Sequence, residues 1–285
     1  MSKFSLYHTG VLANGIKYLH VPGGSRLLVY LPGVTDVVSD VTTKAWSRAF
    51  FGLPCIKTHS LLLISRRVFN HDRFTLADYV SDTVESIELL AKKFRQRSID
   101  LAGASFAGGP CAILAAPRLS VTTSSVSIFC GGTSVSPDGR KLMDQARFLL
   151  ERDQIHDMIK LFSDAMFHKA FFKLMFRLTA GPTLRAGLTP VVRRNLIRVL
   201  ELIAEFDVAH ALSELTCPVL FVNGEMDRIL LVETQFANRM CRQALIAGAG
   251  HAAAGGHQTS WESAKGGTGG GFHRCSFQWP WSYSP

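Results

Sequence analysis

Strand-like and helix-like stretches alternate along the first half of the chain. Apolar, β-rich runs at 26–31, 60–65, 98–102 and 126–130 flank a stretch of helical spacing that begins near Thr75. Strands that are joined by helices form parallel sheets, because the crossover connection needs about a helix's length. We therefore expect an α/β fold with a mostly parallel central sheet and helices on both faces.

Local signals refine this expectation. Asn14-Gly15 lies between two alternating segments and predicts a hairpin within 7–21. Thr75 followed by Asp78 predicts a capping box at the start of a helix. Strand patterns return at 217–223 and 243–247, so the sheet continues in the last part of the chain.

The alternation is interrupted between about Ser136 and Phe206, where only helical spacing occurs. Gly181-Pro182 and Thr189-Pro190 predict breaks within this segment. We interpret the segment as a helical cap inserted into the core. The expected organisation is a first core part at 1–135, a cap at 136–206, a second core part at 207–254 and a Gly-rich, disordered tail at 255–285.

Composition is typical of a globular protein. Of the 285 residues, 47% are hydrophobic and 19% are charged, and no apolar run is long enough for a membrane-spanning helix. The first residues have no apolar signal-peptide region. The six cysteines show neither CxxC pairs nor the spacing of metal ligands. We expect a soluble, cytoplasmic protein with reduced thiols, without a metal or cofactor.

The net charge of +9 favours anionic partners, such as an acidic carrier protein or a membrane surface. No basic stripe with interleaved aromatic residues is present, so we expect no nucleic-acid partner. Between Gly139 and Phe206, twelve Lys and Arg stand against seven Asp and Glu. An apolar cap with a basic rim suits an acyl chain attached to an anionic group, although a solvated helical surface is the alternative. We favour core packing over lipid contact for the Phe and Met residues at 167–178.

The segment 103–108, GASFAG, follows a predicted strand and precedes a predicted helix. Ser105 has Gly103 two residues before it and Ala107 two residues after it, which is the pattern of a nucleophile elbow. Small residues are needed there because the turn is tight. The usual second small residue is Gly, which here stands at position 108. The alternative interpretation is an ordinary Gly-rich turn that holds a phosphate.

Two other candidates follow later strands. Asp227 and His251 each come just after a predicted strand, and parallel strands collect such groups at one edge of the sheet. A Ser hydroxyl needs a His to remove its proton, and that His needs a carboxylate to orient it. Ser105, Asp227 and His251 therefore form a candidate catalytic triad. Glu225 competes for the acid position and His257 for the base.

These motifs resemble the α/β-hydrolase superfamily over about residues 10–252. The resemblance rests on LPG (31–33), GASFAG (103–108), VLFVNGEMD (219–227) and AGAGH (247–251). It implies that Asp227, three residues after Gly224, is the acid rather than Glu225. It also implies that the backbone N–H groups of Phe106 and Val34 form the oxyanion hole. The family usually has His-Gly where this chain has Pro32-Gly33.

The segment 219–236 and the helical insertion also look similar to 3-hydroxyacyl carrier-protein transacylases and hydroxyalkanoyloxyalkanoate synthases. Those enzymes commonly lack the Gly that this chain has at position 103. We therefore expect a serine esterase or lipase that acts on an ester or thioester with an apolar acyl chain. The alternative is a 3-hydroxyacyl transferase. A second alternative is a catalytically impaired scaffold, because the Gly-rich tail cannot form the usual closing helix and suggests a changed reading frame near residue 252.

Overall fold

The computed structural model describes residues 7–34, 41–42, 54–69, 71, 73–225, 227–231 and 241–246. Its strands are β1 (His8–Val11), β2 (Lys17–Val21), β3 (Arg26–Leu31), β4 (His59–Ile64), β5 (Ser98–Ala104), β6 (Thr122–Phe129), β7 (Ser134–Val135), β8 (Val219–Gly224), β9 (Leu230–Leu231) and β10 (Cys241–Ile246). Eight of them form one sheet in the order β1-β2-β4-β3-β5-β6-β8-β10, and β7 pairs with β9 in a separate ribbon.

The described helices are α1 (Leu76–Lys93), α2 (Ser105–Ala115), α3 (Pro137–Glu151), α4 (Ile155–Met166), α5 (Ala170–Gly187) and α6 (Pro190–Glu205). Short 3-10 turns cover Pro54–Lys57, Ala116–Arg118 and Ala209–Glu214. The predicted α/β architecture is therefore confirmed.

Strand direction follows the expected pattern. All neighbouring pairs from β4 to β10 are parallel, whereas β2 runs antiparallel to both β1 and β4. The predicted hairpin between β1 and β2 is confirmed, with Gly15 in the left-handed region at φ +81°. Asn14 supports the turn, because its Oδ1 accepts a hydrogen bond from the backbone N–H of Ile16 at 3.2 Å. The parallel strands consequently bring all their carboxyl ends to one edge of the sheet.

Two apolar clusters cover the two faces of the sheet. Alternate residues of each central strand point to opposite sides, so Val29 of β3 belongs to one cluster and its neighbour Tyr30 to the other. Helices α1 and α2 pack on the first face through residues such as Ile87 and Ile113. The capping box at Thr75 and Asp78, predicted from the sequence, begins α1.

Between β7 and β8 the described chain is helical apart from short connections, and α3 begins one residue after its N-cap Ser136. The predicted break at Thr189-Pro190 is confirmed, since Thr189 caps α6 and Pro190 begins it. The predicted break at Gly181-Pro182 is wrong, because α5 continues through both residues to Gly187. Proline removes one hydrogen bond from a helix and crowds the preceding turn, but its fixed φ of about −65° is a helical one, so a helix can continue through it.

No disulfide bond links any of the cysteines that the structure describes. Cys55, Cys111, Cys130 and Cys217 are buried, and Cys241 is partly buried. Cys275 lies outside the described residues. Burial raises the pKa of both the Cys217 and the Cys241 thiols, which keeps them protonated and unreactive at neutral pH. None of the helices described here is long and apolar enough to cross a membrane.

Candidate active site

Ser105 lies where β5 ends and α2 begins, at the carboxyl edge of the sheet. Its φ is +54°, in the left-handed region that non-glycine residues rarely adopt. The preceding residue, Ala104, is extended, so the chain reverses direction sharply within one residue. This geometry lifts the Ser105 side chain to the edge of the sheet and leaves it partly buried. It is the local conformation that the elbow pattern predicts.

Close backbone packing explains the glycines around this turn. A Cβ on Gly103 would lie 2.3 Å from the carbonyl oxygen of Gly108, and a Cβ on Gly108 would lie 2.1 Å from the carbonyl oxygen of Leu31. Helix α2 thus presses directly on the end of β3. Ala107, where Gly is usual, is buried and fits without a glycine, because in this chain the closest approach occurs at Gly108.

The loop after β3 lies beside Ser105. A Cβ on Gly33 would lie 3.0 Å from the Cβ of Ser105 and 3.7 Å from its Oγ. Val34, one of the two predicted oxyanion donors, follows Gly33 and packs partly buried against the core. Arg66 holds this loop from the other side, because its Nη2 donates a hydrogen bond to the carbonyl oxygen of Pro32 at 3.2 Å. Nothing in the sequence singled out Arg66.

The other predicted oxyanion donor is the backbone N–H of Phe106. Phe106 is the second residue of α2 and directly follows Ser105. The first four N–H groups of a helix have no intrahelical acceptor, so this N–H is available to a developing negative charge. The helix dipole adds a partial positive charge at the same place.

Asp227 lies three residues after the end of β8, and its side chain is partly buried. Its backbone N–H donates to the carbonyl oxygen of Gly224 at 3.1 Å, and its Oδ1 accepts from the N–H of Ile229 at 2.9 Å. These contacts hold Asp227 in a tight turn at the carboxyl end of β8. Glu225, the competing acid, is exposed, and its N–H donates to the carbonyl oxygen of Ile246 on β10.

The β7–β9 ribbon fixes the Asp227 turn to the rest of the fold. The N–H of Ser136 donates to the carbonyl oxygen of Ile229 at 3.0 Å, and the Ser136 hydroxyl donates to the carbonyl oxygen of Arg228. The same hydroxyl accepts from the N–H of Gly139 at 2.9 Å and so caps α3. One side chain therefore joins the turn that carries Asp227 to the first helix after β7. Strands of two residues give too short a pattern to be recognised in a sequence.

Strand β6 separates Ser105 from Asp227 in the sheet. Since β5, β6 and β8 are neighbours, the strand ends that carry the two residues lie about 10 Å apart. One imidazole between a hydroxyl and a carboxylate bridges a gap of this order. The spacing therefore leaves room for a histidine between Ser105 and Asp227.

Asn223 stabilises the turn after β6 that lies between these two residues. Its Nδ2 donates to the carbonyl oxygen of Gly131 at 2.8 Å, and a Cβ on Gly131 would come within 3.4 Å of the Ser105 carbonyl oxygen. Cys130, just before Gly131, is buried with φ +47°. The buried Oδ1 of Asn223 makes no hydrogen bond to the part of the chain that is described. Sequence reasoning missed Asn223, because a polar residue at a strand end has many roles.

The structure describes four of the five predicted site residues: Ser105, Asp227, Val34 and the backbone of Phe106. His251, the predicted base, and its competitor His257 lie outside the described residues, and their role stays a prediction. Among the described residues, no group of three or more His, Cys, Asp and Glu side chains is placed to bind a metal ion.

A second His–Asp pair lies at the opposite, amino edge of the sheet. His59 Nε2 is 3.3 Å from Asp100 Oδ2, while Arg26 and Ser125 donate to Asp100 Oδ1 at 2.7 and 2.6 Å. Burial alone would raise the pKa of Asp100, but the hydrogen bonds with His59 and Ser125 and the charge of Arg26 bring it below its usual value. Together with Arg26 and Ser125, this pair joins β3, β4, β5 and β6, and the length of β5 separates it from Ser105.

An apolar cleft lies between α2 and α6. Its lining includes Ala107, Cys111, Val199, Ile203 and Phe206, and Arg66 is the one charged residue that lines its described walls. Ser105 itself does not line this cleft, although Ala107 follows it by two positions on α2.

Comparison with known protein families and with curated proteins gives no match. Comparison with solved structures gives many matches. MGS-M2, an α/β hydrolase enzyme from a Medee basin deep-sea metagenome library, is 16% identical with a TM-score of 0.66, over 83% of this chain and 87% of that one. The enol-lactonase from Burkholderia xenovorans LB400 is 14% identical with a TM-score of 0.63, over 86% of this chain and 92% of that one.

An esterase from Exiguobacterium antarcticum gives a similar result, with 14% identity and a TM-score of 0.61 over 86% of this chain and 92% of that one. Identities this low bear on the fold alone. Since these likenesses extend over most of both chains, the protein has the α/β-hydrolase fold.

Proposed function

We propose that this protein, whose fold is that of the α/β hydrolases, is a serine hydrolase that cleaves carboxylic esters through an acyl-enzyme at Ser105. The observation that carries the proposal is the left-handed conformation of Ser105 at the β5–α2 junction, with Gly33 packed against it. A non-glycine residue in this conformation costs on the order of 1–3 kcal/mol, and such strain persists mainly where function requires it.

In the proposed mechanism, His251 takes the proton of the Ser105 hydroxyl while Oγ attacks the carbonyl carbon of the ester. The backbone N–H groups of Phe106 and Val34 bind the oxyanion that forms. When the intermediate collapses, the alcohol leaves with the proton from His251, and the acyl group stays on Ser105. Water then attacks the acyl-enzyme with His251 as base, which releases the acid and restores the hydroxyl. Asp227 orients His251 throughout and stabilises its cation.

The apolar lining of the cleft between α2 and α6 supports an apolar acyl chain as part of the substrate. The cleft has a volume of only about 20 Å³, so an acyl chain would have to widen it on binding. Val199, Ile203 and Phe206 line it from α6 and the residue that follows it, within the proposed cap at 136–206. Arg66 lines the same cleft, and its charge favours a substrate with an anionic group near the ester or thioester. We propose that the core consists of 1–135 and 207–254, on either side of this cap. The cysteines, which form no disulfide among the described residues, support a cytoplasmic location.

The test is a panel of p-nitrophenyl esters and matching thioesters of increasing chain length, with wild-type protein and S105A. We expect wild-type turnover without any added acceptor and a loss of at least roughly 10³-fold in S105A. A fluorophosphonate probe should label the wild type and leave S105A unlabelled. The matched control is S213A, which removes an exposed hydroxyl whose only described bond is to the His210 carbonyl.

Two outcomes would overturn the proposal. Turnover that begins only when a hydroxyacyl acceptor is added would identify an acyltransferase. Folded wild-type protein that neither reacts with the probe nor turns over any ester would identify a scaffold without catalytic activity.

A further inference from the structure

Helix α5 carries an apolar stripe on its outward face. Phe171, Leu174, Met175 and Leu178 follow one another at helical spacing and are 65%, 55%, 37% and 61% exposed. The stripe extends about 10 Å along the helix. Sequence reasoning favoured core packing for the Phe and Met residues of this segment, and for Phe171 and Met175 that expectation is wrong.

The inner face of the same helix is attached to the fold. Phe172 and Phe176 pack on Phe167, with ring centroids 6.4 and 5.5 Å apart, and Leu184 contacts the main core. The division between an inner and an outer face means that the outward stripe is not a displaced part of the core. It is a surface, and monomeric proteins rarely leave such an apolar patch exposed without a partner.

Positive charge predominates around the stripe. Between Asp164 and Glu201 the sequence contains seven Lys and Arg and no Asp or Glu. Two of the cations, Lys173 and Arg177, are paired with Asp164 at 3.1 and 2.8 Å.

Three further cations remain exposed: Lys169, Arg185 and Arg194. They form no ion pair with any carboxylate in the described part of the chain. Lys169 precedes α5, and Arg185 belongs to its last turn. The apolar stripe therefore has an uncompensated positive charge at each end.

We propose that α5 docks on an anionic lipid surface, with the stripe of Phe171, Leu174, Met175 and Leu178 inserted among the acyl chains and the flanking Lys169 and Arg185 on the lipid phosphates. An amphipathic helix with this division of charge lies in the plane of the membrane interface. A second copy of the chain fits less well, because a symmetric contact would bring like charges together. An acidic protein would satisfy the cations but would have to supply an apolar surface of its own.

This docking does not depend on the proposed hydrolysis. The S105A variant should bind membranes as wild type does, and a variant that no longer docks should still hydrolyse a short, water-soluble ester. Failure of one proposal therefore leaves the other testable.

The test is flotation of the full chain with vesicles of phosphatidylcholine alone and with equimolar phosphatidylcholine and phosphatidylglycerol. We expect flotation only with the anionic vesicles, and release when salt is added, because salt screens the contacts to phosphate. L174E and L178E should each lower the partition coefficient by roughly tenfold or more, since each places a carboxylate in the stripe. The matched control is V11E, an equally exposed apolar position on β1, which should float as wild type does.

Circular dichroism should show that both α5 variants are folded, since Glu is a good helix former at an exposed position. Equal binding of L174E, L178E and wild type would overturn the proposal. So would a dimer in sedimentation that L174E dissociates, or binding to an acidic protein without any binding to anionic vesicles.

Discussion

At the scale of single residues, Ser105 combines a strained backbone with its proposed role as the nucleophile. Its φ of +54° is costly for any residue with a Cβ, and Gly103 and Gly108 on either side of it pack closely against neighbouring backbone. The strain holds the side chain at the sheet edge before any substrate arrives. Pre-organisation of this kind is how active sites use strained backbone.

We expect S105G to be more stable than S105A by about 1 kcal/mol, because only glycine adopts a left-handed φ without a clash at Cβ. Both variants lack the hydroxyl, so both should be inactive in the ester assay. Urea unfolding of the two proteins, monitored by circular dichroism, measures the difference. Equal free energies of unfolding would mean that the turn around residue 105 relaxes and stores no strain.

At the scale of elements, the β7–β9 ribbon and the N-terminus of α3 hold the turn that contains Asp227, the proposed acid. Ser136 caps α3 and also binds the carbonyl oxygen of Arg228, next to Asp227. The cap of α3 and the turn of the proposed catalytic acid thus share one hydroxyl. Loss of the Ser136 hydroxyl should therefore lower both the stability of the fold and the rate of ester hydrolysis.

We expect S136A to lower the free energy of unfolding by about 1 kcal/mol, the usual value of an N-cap. It should also lower kcat for ester hydrolysis by roughly tenfold, because the Asp227 turn loses a contact that positions it. The control is T189A, which removes the N-cap of α6, where Thr189 Oγ1 accepts from the N–H of Val192 at 3.3 Å. T189A should cost similar stability and leave kcat unchanged; an equal loss of kcat in both variants would contradict this role of Ser136.

At the scale of the whole molecule, stability should depend on pH through His20. This side chain of β2 packs on Phe94 at the end of α1, with ring centroids 4.5 Å apart. Burial, together with the neighbouring His8 and Lys93, lowers the pKa of His20 to about 4. The buried Nε2 has no hydrogen-bond partner among the described residues, which also favours the neutral imidazole.

Because the pKa of His20 is about 4 in the folded state and about 6.5 in the unfolded chain, unfolding takes up a proton between these values. The contribution of His20 to stability is therefore complete above about pH 6.5 and is lost as the pH falls to about 4. We expect H20Q to flatten the dependence of unfolding free energy on pH in that window. The control is H156Q, a change at an exposed position of α4, which should keep the wild-type slope.

The sequence by itself determined the order and type of most elements. The Asn14-Gly15 hairpin, the Thr75 cap, the apolar strands and the elbow at Ser105 were all predictable, because turn chemistry and side-chain periodicity act over a few neighbouring residues. The order of Ser105, Asp227 and His251 likewise identified a candidate triad, since parallel strands collect their carboxyl ends at one edge.

Tertiary structure decided everything that depends on residues distant in sequence. The contacts of Arg66 with Pro32, of Ser136 with Arg228 and of Asn223 with Gly131 join segments between 34 and 92 residues apart, and no local pattern marks them. The outward face of α5 was also undecided, because an almost uniformly apolar helix has no periodicity that tells its inner side from its outer one. Only the packing of α5 on Phe167 and the core shows which side remains exposed.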